Sequence, residues 1–274
     1  MQLDQTRIVI RERRFGEIMG LALQVTRTGI KWISLLWLLG VTGFALLNAL
    51  LLYGILADEI DIGDPPVGYW NLLVMLVAIE TPLATAPITL YLGKLTFNSP
   101  FRFRTMLVEL LRSLPQLVLY QVVLRTLMMP FLLLPYWIMP YVGELILLER
   151  NPLASGRTKR LTTNRRSRNL HSNNGGELFG RWMLALLVGV VLTLALGLGF
   201  ELLLAKLGGL EITWFARHLV IYPLALWVVV GWMAVVRFLA YLDLRIRREG
   251  WEVELLMRAE AARLRRPSSL VSAR

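Results

Sequence analysis

The stretch RNPLASGRTKRLTTNRRSRNLHSNNGGELFGR, residues 150–181, decides how this chain folds. It holds Arg150, Arg157, Lys159, Arg160, Arg165, Arg166, Arg168 and Arg181 against one acid, Glu177. Long apolar runs flank it on both sides. A basic loop between apolar hairpins is hard to move across a bilayer and stays on the cytoplasmic side. The sidedness of every other segment follows from that assignment.

The 274 residues are 56% hydrophobic, with mean hydropathy +0.56. Soluble domains run at about 45–50% apolar. Here the excess comes in blocks long enough to cross a bilayer, so the expected class is an all-α, polytopic helical membrane protein. The net charge of +11 taken alone would fit nucleic acid. The placement of the charges argues against it, and the basic loop has no interleaved aromatics, only Phe179 near its end. There is no cysteine, which excludes disulfides and thiolate chemistry. The two histidines, His171 and His218, fall in different segments, and no metal or other cofactor is expected. The first 30 residues lack the pattern of a secretory signal.

Residues 1–30 form an N-terminal arm. Phe15, Ile18, Met19, Ala22 and Val25 recur at helical spacing behind Arg7, Arg11, Arg13 and Arg14, which predicts an amphipathic helix in the cytoplasmic headgroup layer. The alternative is a helix packed under the bundle. Residues 31–241 hold about six expected spans, at 32–56, 70–92, 113–131, 135–148, 182–204 and 219–236. Asp58, Glu59, Asp61 and Asp64 before Pro65-Pro66 mark an external loop, and Tyr69 and Trp70 sit where an aromatic belt belongs. The run 113–148 is broken at Pro115, Pro130, Pro135 and Pro140, which predicts a hairpin turning near 130–135, spanning fully or re-entrant. The basic loop takes 149–181. Ala185, Gly189, Thr193 and Gly197 put small residues on one face of the fifth span, a helix-packing signal. Residues 242–274 read as a cytoplasmic tail with a helix over 243–266. Of the 30 Lys and Arg, all but Lys206, Arg217 and Arg125 fall in segments assigned to the cytoplasm, so both termini are expected there.

Short motifs add a resemblance. Arg14-Phe15-Gly16-Glu17-Ile18 enters the first span, Tyr91-Leu92-Gly93 closes the second, and Glu149 precedes the Arg/Ser-containing loop. Tyr241-Leu242-Asp243-Leu244-Arg245-Ile246-Arg247-Arg248-Glu249-Gly250 closes the last. Together they resemble the bacterial inner-membrane family named for the membrane domain of glycerophosphoryl diester phosphodiesterase. The resemblance implies a helical module of the bacterial cytoplasmic membrane, an accessory or scaffold. It carries no catalytic residue over, because that activity belongs to a separate soluble barrel.

Three charges fall inside apolar runs. Glu80 lies ~15 Å from the outer surface, Arg125 ~20 Å from the inner one, and Glu144 ~14 Å from the hairpin turn, at 1.5 Å per residue. A buried Glu80–Arg125–Glu144 cluster is expected, since isolated ions there are costly. Arg157, Lys159, Arg160, Arg165, Arg166, Arg168, Arg245, Arg247 and Arg248 are candidate contacts for anionic lipid or a partner protein, at about 1 kcal/mol per base near the surface. Gly175-Gly176 lacks the Lys-Ser/Thr of a phosphate loop, and no catalytic motif is present, so no enzyme is expected. The reading that follows is a membrane scaffold or accessory subunit, with a transporter or channel component as the alternative.

Overall fold

The computed structural model describes residues 13–62, 66–96, 100–127, 140–152, 162–171, 175–206, 208–209, 211–249 and 257. Among these the regular structure is all helix, with no strand. Helix α1 covers Phe15–Thr28, α2 Ile30–Ile62, α3 Val67–Ala84 and α4 Ala86–Thr96. Helix α5 runs Phe103–Leu127 with a π-helical stretch at Val118–Val123. Short helices α6 (Val142–Glu149) and α7 (Thr163–His171) follow. Helix α8 is Gly175–Lys206, and α9 is Trp214–Glu249, with a π-helical stretch at Arg217–Ile221.

Five helical runs are long and apolar enough to cross a membrane: Ile30–Glu59, Val67–Thr96, Phe103–Leu127, Gly175–Lys206 and Trp214–Arg248. At 1.5 Å per residue, even the shortest exceeds a ~30 Å hydrocarbon core. Their outer faces are apolar: Leu50 is 78% exposed, Leu187 61% and Leu202 59%. Water would penalise each such leucine by about 1.5–3 kcal/mol, and lipid removes that penalty. The expected fourth span, 135–148, lies partly outside the described residues, and its described part is the eight-residue α6.

Several boundaries differ from those the hydropathy predicts. Helix α2 continues past residue 56 through Asp58 and Glu59, because nothing in those residues breaks a helix. Helix α5 starts at Phe103 rather than 113, since residues 103–112 are an amphipathic helix-forming stretch. Pro115 sits inside α5, and a π-helical stretch follows it at Val118–Val123. The second run bends once, at Thr85, between Pro82 and Pro87. The last helix runs unbroken to Glu249. Tyr241 is 0% exposed and Asp243 3%, so residues 242–247 belong to the bundle rather than to a separate tail. The remaining tail and the helix expected over it lie outside the described residues, apart from Met257.

Helix α9 is the centre of the bundle and packs against α1, α2, α4, α7 and α8. On its inner half Val235, Val236, Phe238, Leu239, Ala240 and Tyr241 are buried. The apolar stripe of α1, with Ile18, Ala22 and Val25 buried, packs against this half, as the alternative reading of a helix packed on the bundle expects. Helix α2 meets α9 through Trp37, whose indole N–H donates to the Trp227 carbonyl at 2.8 Å. Gly231 leaves room for that ring, because a Cβ there would collide with it. Gly40 does the same one turn away, against the Ala84 carbonyl oxygen. Lipid supplies no hydrophobic drive between helices, so such close backbone approaches carry much of the packing.

Gly40→Ala should therefore lower stability in detergent by about 1–3 kcal/mol through overpacking. Gly43→Ala, where a Cβ meets nothing within 4 Å, should be neutral or slightly stabilising. Denaturant titration followed by tryptophan fluorescence compares the two.

Candidate functional site

Polar side chains gather at one end of the bundle, and acidic residues organise them. Asp243 on α9 accepts from the Arg13 backbone N–H at 2.8 Å and pairs with Arg181 of α8 at 2.9 Å and Arg247 at 2.9 Å. Arg247 also donates to the Arg13 carbonyl at 2.8 Å and pairs with Glu177 at 3.0 Å. One carboxylate, 3% exposed, thus ties the entry to α1, the start of α8 and the end of α9.

Glu149, at the end of α6, is the second centre. Arg166 of α7 holds it with two bonds, Nε at 2.7 Å and Nη2 at 3.0 Å. The Tyr241 hydroxyl donates to it at 3.0 Å, and Arg245 stands 3.5 Å away. Burial opposes its charge, but the Arg166 hydrogen bond and the Arg245 and Arg166 charges outweigh burial and hold its carboxyl below the usual range. Glu109 is the third centre and pairs with Lys94 at 3.0 Å and Arg150 at 3.1 Å. Arg150 closes α6 in the left-handed conformation, φ 52°.

His171 ends α7, stacked on Tyr141 at 5.8 Å between ring centres. Its Nδ1 lies 2.7 Å from the Ser167 carbonyl, and its Nε2 accepts from the Tyr141 N–H at 3.4 Å. That pairing fits the neutral ring protonated at Nδ1. Burial, partly offset by the Ser167 bond and Glu144, pushes its pKa down.

The three predicted intramembrane charges are all buried, but their observed partners differ from those expected. Glu144, 1% exposed, takes Arg237 of α9 at 2.5 Å. Glu80 accepts from the Asn48 amide at 2.7 Å. Arg125 donates to Gln121, one turn back on its own helix, at 3.2 Å. No ion pair joins Glu80 to Arg125 or Arg125 to Glu144 among the described residues, so the expected triad resolves into separate pairs. Sequence reading missed Arg237 as a partner because it sits at the edge of a span and reads as a flanking base.

Of the expected lipid contacts, Arg157, Lys159 and Arg160 lie outside the described residues. Arg165, Arg168 and Arg248 are exposed. Arg166 and Arg245 instead pair with the partly buried Glu149, and Arg247 pairs with buried Asp243 and exposed Glu177. Tyr69, read as a belt residue, is 1% exposed and donates to the His218 carbonyl at 2.9 Å, while Trp70 packs edge-on to it. The acid Glu59 caps α3 by accepting from the Gly68 and Tyr69 N–H groups at 2.9 and 3.2 Å.

One groove of about 470 Å³ runs between α3 and α8, with α9 as its floor. Ala185, Gly189 and Thr193 of the small-residue stripe line it, with Val230, Met233 and Arg237 opposite. Only Gly197, farther along, makes the close helix approach the stripe predicts, against the Tyr222 ring. Arg125, Arg181, Arg237 and Trp70 also line the groove. Among the described residues no three His, Asp or Glu side chains come together as a metal site. Compared with protein-family models, curated proteins and solved structures, the chain gives no match.

Asp243→Asn should cost about 3–5 kcal/mol, because it leaves buried arginines without their acid. Acidification should also destabilise the bundle. A buried histidine with a lowered pKa gives stability that is full above about pH 6.5 and lost as pH falls toward its folded value. Glu149, lowered from the carboxylate range, loses its contribution only at still lower pH. Thermal unfolding scans from pH 8 to 5 should show the first loss, and His171→Gln should flatten it.

Proposed function

We propose that this chain is an integral membrane scaffold or accessory subunit of the bacterial cytoplasmic membrane, without catalysis of its own. The observation that carries the proposal is the internal pairing of its intramembrane charges. Glu144 and Glu80 are 1% and 7% exposed, each holds a protein partner, and neither lines the groove. A water-filled path for ions or polar substrates needs such groups facing the path. Ours are spent on holding helices to each other.

The same polar end supports a topology. The entry to α1, the ends of α4, α6 and α9, and the starts of α5 and α8 are joined there by Asp243, Glu149 and Glu109. An even number of crossings, six by the sequence reading, with both termini in the cytoplasm, accounts for that arrangement together with the bias of lysine and arginine. Exposed Arg165, Arg168 and Arg248 then face the cytoplasm as contacts for anionic lipid or a partner protein. The resemblance to the membrane module of the phosphodiesterase-named family fits this reading, and its quoted motifs contribute Tyr241, Asp243, Arg245, Arg247 and Glu149 to the polar end.

The second reading, a transporter or channel component, draws on Arg125, which does line the groove. Single cysteines at positions 80 and 125 separate the two, since the chain has no other cysteine. In intact membranes a water-soluble maleimide should label neither. Rapid labelling of either would favour the transporter. A C-terminal tag should resist periplasmic protease in intact cells, and its digestion would overturn the topology.

A further inference from the structure

The groove between α3 and α8 has the two chemistries of an amphiphile. We infer that it is a binding site for one anionic phospholipid, with its phosphate at the arginine band and an acyl chain along the small-residue stripe. The lining on α8 runs from Leu178 to Leu194, ~24 Å at 1.5 Å per residue. One leaflet contributes ~15 Å of hydrocarbon, so a full acyl chain and the head above it fit along this length. Val74, Leu186, Val190 and Leu194 line the groove and are each about half exposed on the bundle surface, so it opens sideways to lipid.

The apolar part alone would accept any chain or a neighbouring helix. The charges select among them. Arg125, Arg181 and Arg237 line the groove, and no acid does among the described residues. Two of the acids paired with them, Glu144 and Asp243, are 1% and 3% exposed; the third, Glu177, pairs with Arg181 from an exposed position, and none of the three is in the lining. An occupant therefore meets cations. Arg181 is nine-tenths buried, and its Nη1 has no hydrogen-bond partner among the described residues, although Asp243 and Glu177 take Nη2. A buried guanidinium nitrogen without an acceptor is costly, and a phosphate oxygen is the acceptor that a membrane supplies. Ala185, Gly189 and Thr193 keep the α8 wall low: a Cβ at Gly189 would meet only Met233 Cε, at 3.8 Å.

The site can be tested with the full chain in phosphatidylcholine nanodiscs doped with photoactivatable phosphatidylglycerol or, separately, photoactivatable phosphatidylcholine. Labelling should map to residues 178–194 and 226–240. It should favour the anionic probe by about fivefold for each arginine engaged. Gly189→Phe, which raises that wall on a lipid-facing helix, should abolish that labelling without shifting thermal unfolding. The paired change Glu144→Gln with Arg237→Gln keeps the buried couple neutral and should reduce the preference for the anionic probe. Equal labelling by the two lipids, labelling unaffected by Gly189→Phe, or cross-linking of position 189 to a partner's helix in place of lipid would each overturn the assignment.

Discussion

A single buried carboxylate, Asp243, holds the polar end of this bundle together. Its partners come from three places in the chain: the Arg13 backbone, Arg181 at the start of α8, and Arg247 one turn further along α9. A hydrophobic core of the ordinary kind cannot do this work, because in lipid the helix surfaces are as apolar as their surroundings. Directional contacts must select the arrangement, and charge-assisted bonds in a low-dielectric setting are the strongest available. Glu149 and Glu109 repeat the device with α6, α7, α4 and α5. The middle of the bundle then needs only shape, which Trp37 against Gly231 and Gly40 against Ala84 supply.

The class of fold could be read directly from residues 150–181 and the apolar runs around them, because hydropathy and charge are local properties. Helix ends were harder. A helix does not stop where hydrophobicity stops, and α2 continues through Asp58 and Glu59 for want of a breaker. Partners were harder still. Depth along a span can be estimated by counting residues, but azimuth cannot. Glu80, Arg125 and Glu144 all proved buried, yet facing Asn48, Gln121 and Arg237 in place of one another. The closing motif from Tyr241 to Arg247 was conspicuous as a string, but only the folded chain reveals that Tyr241 and Arg245 address Glu149 while Arg247 addresses Asp243 and Glu177.

Helix α8 is the least enclosed of the long helices. Met183, Leu187, Val191 and Leu198 all face outward, and its contacts are chiefly with α9. Its ends are pinned by charge, with Arg181 to Asp243 at one and Glu201 to Arg217 at the other. Between the pins the small residues leave a gap toward α3. Groove and anchors thus lie on one helix, which is tied by charge at both ends and packs on α9 between them.

The reach of the Asp243 clamp also bears on biosynthesis. Arg13 and Asp243 are 230 positions apart. During translation the first apolar helices are made long before the acid that locks them. Until α9 is inserted, Arg181 lacks that carboxylate and α1 lacks the surface its stripe covers. A chain without α9 thus has neither the acid that holds Arg181 nor the surface that covers Ile18, Ala22 and Val25.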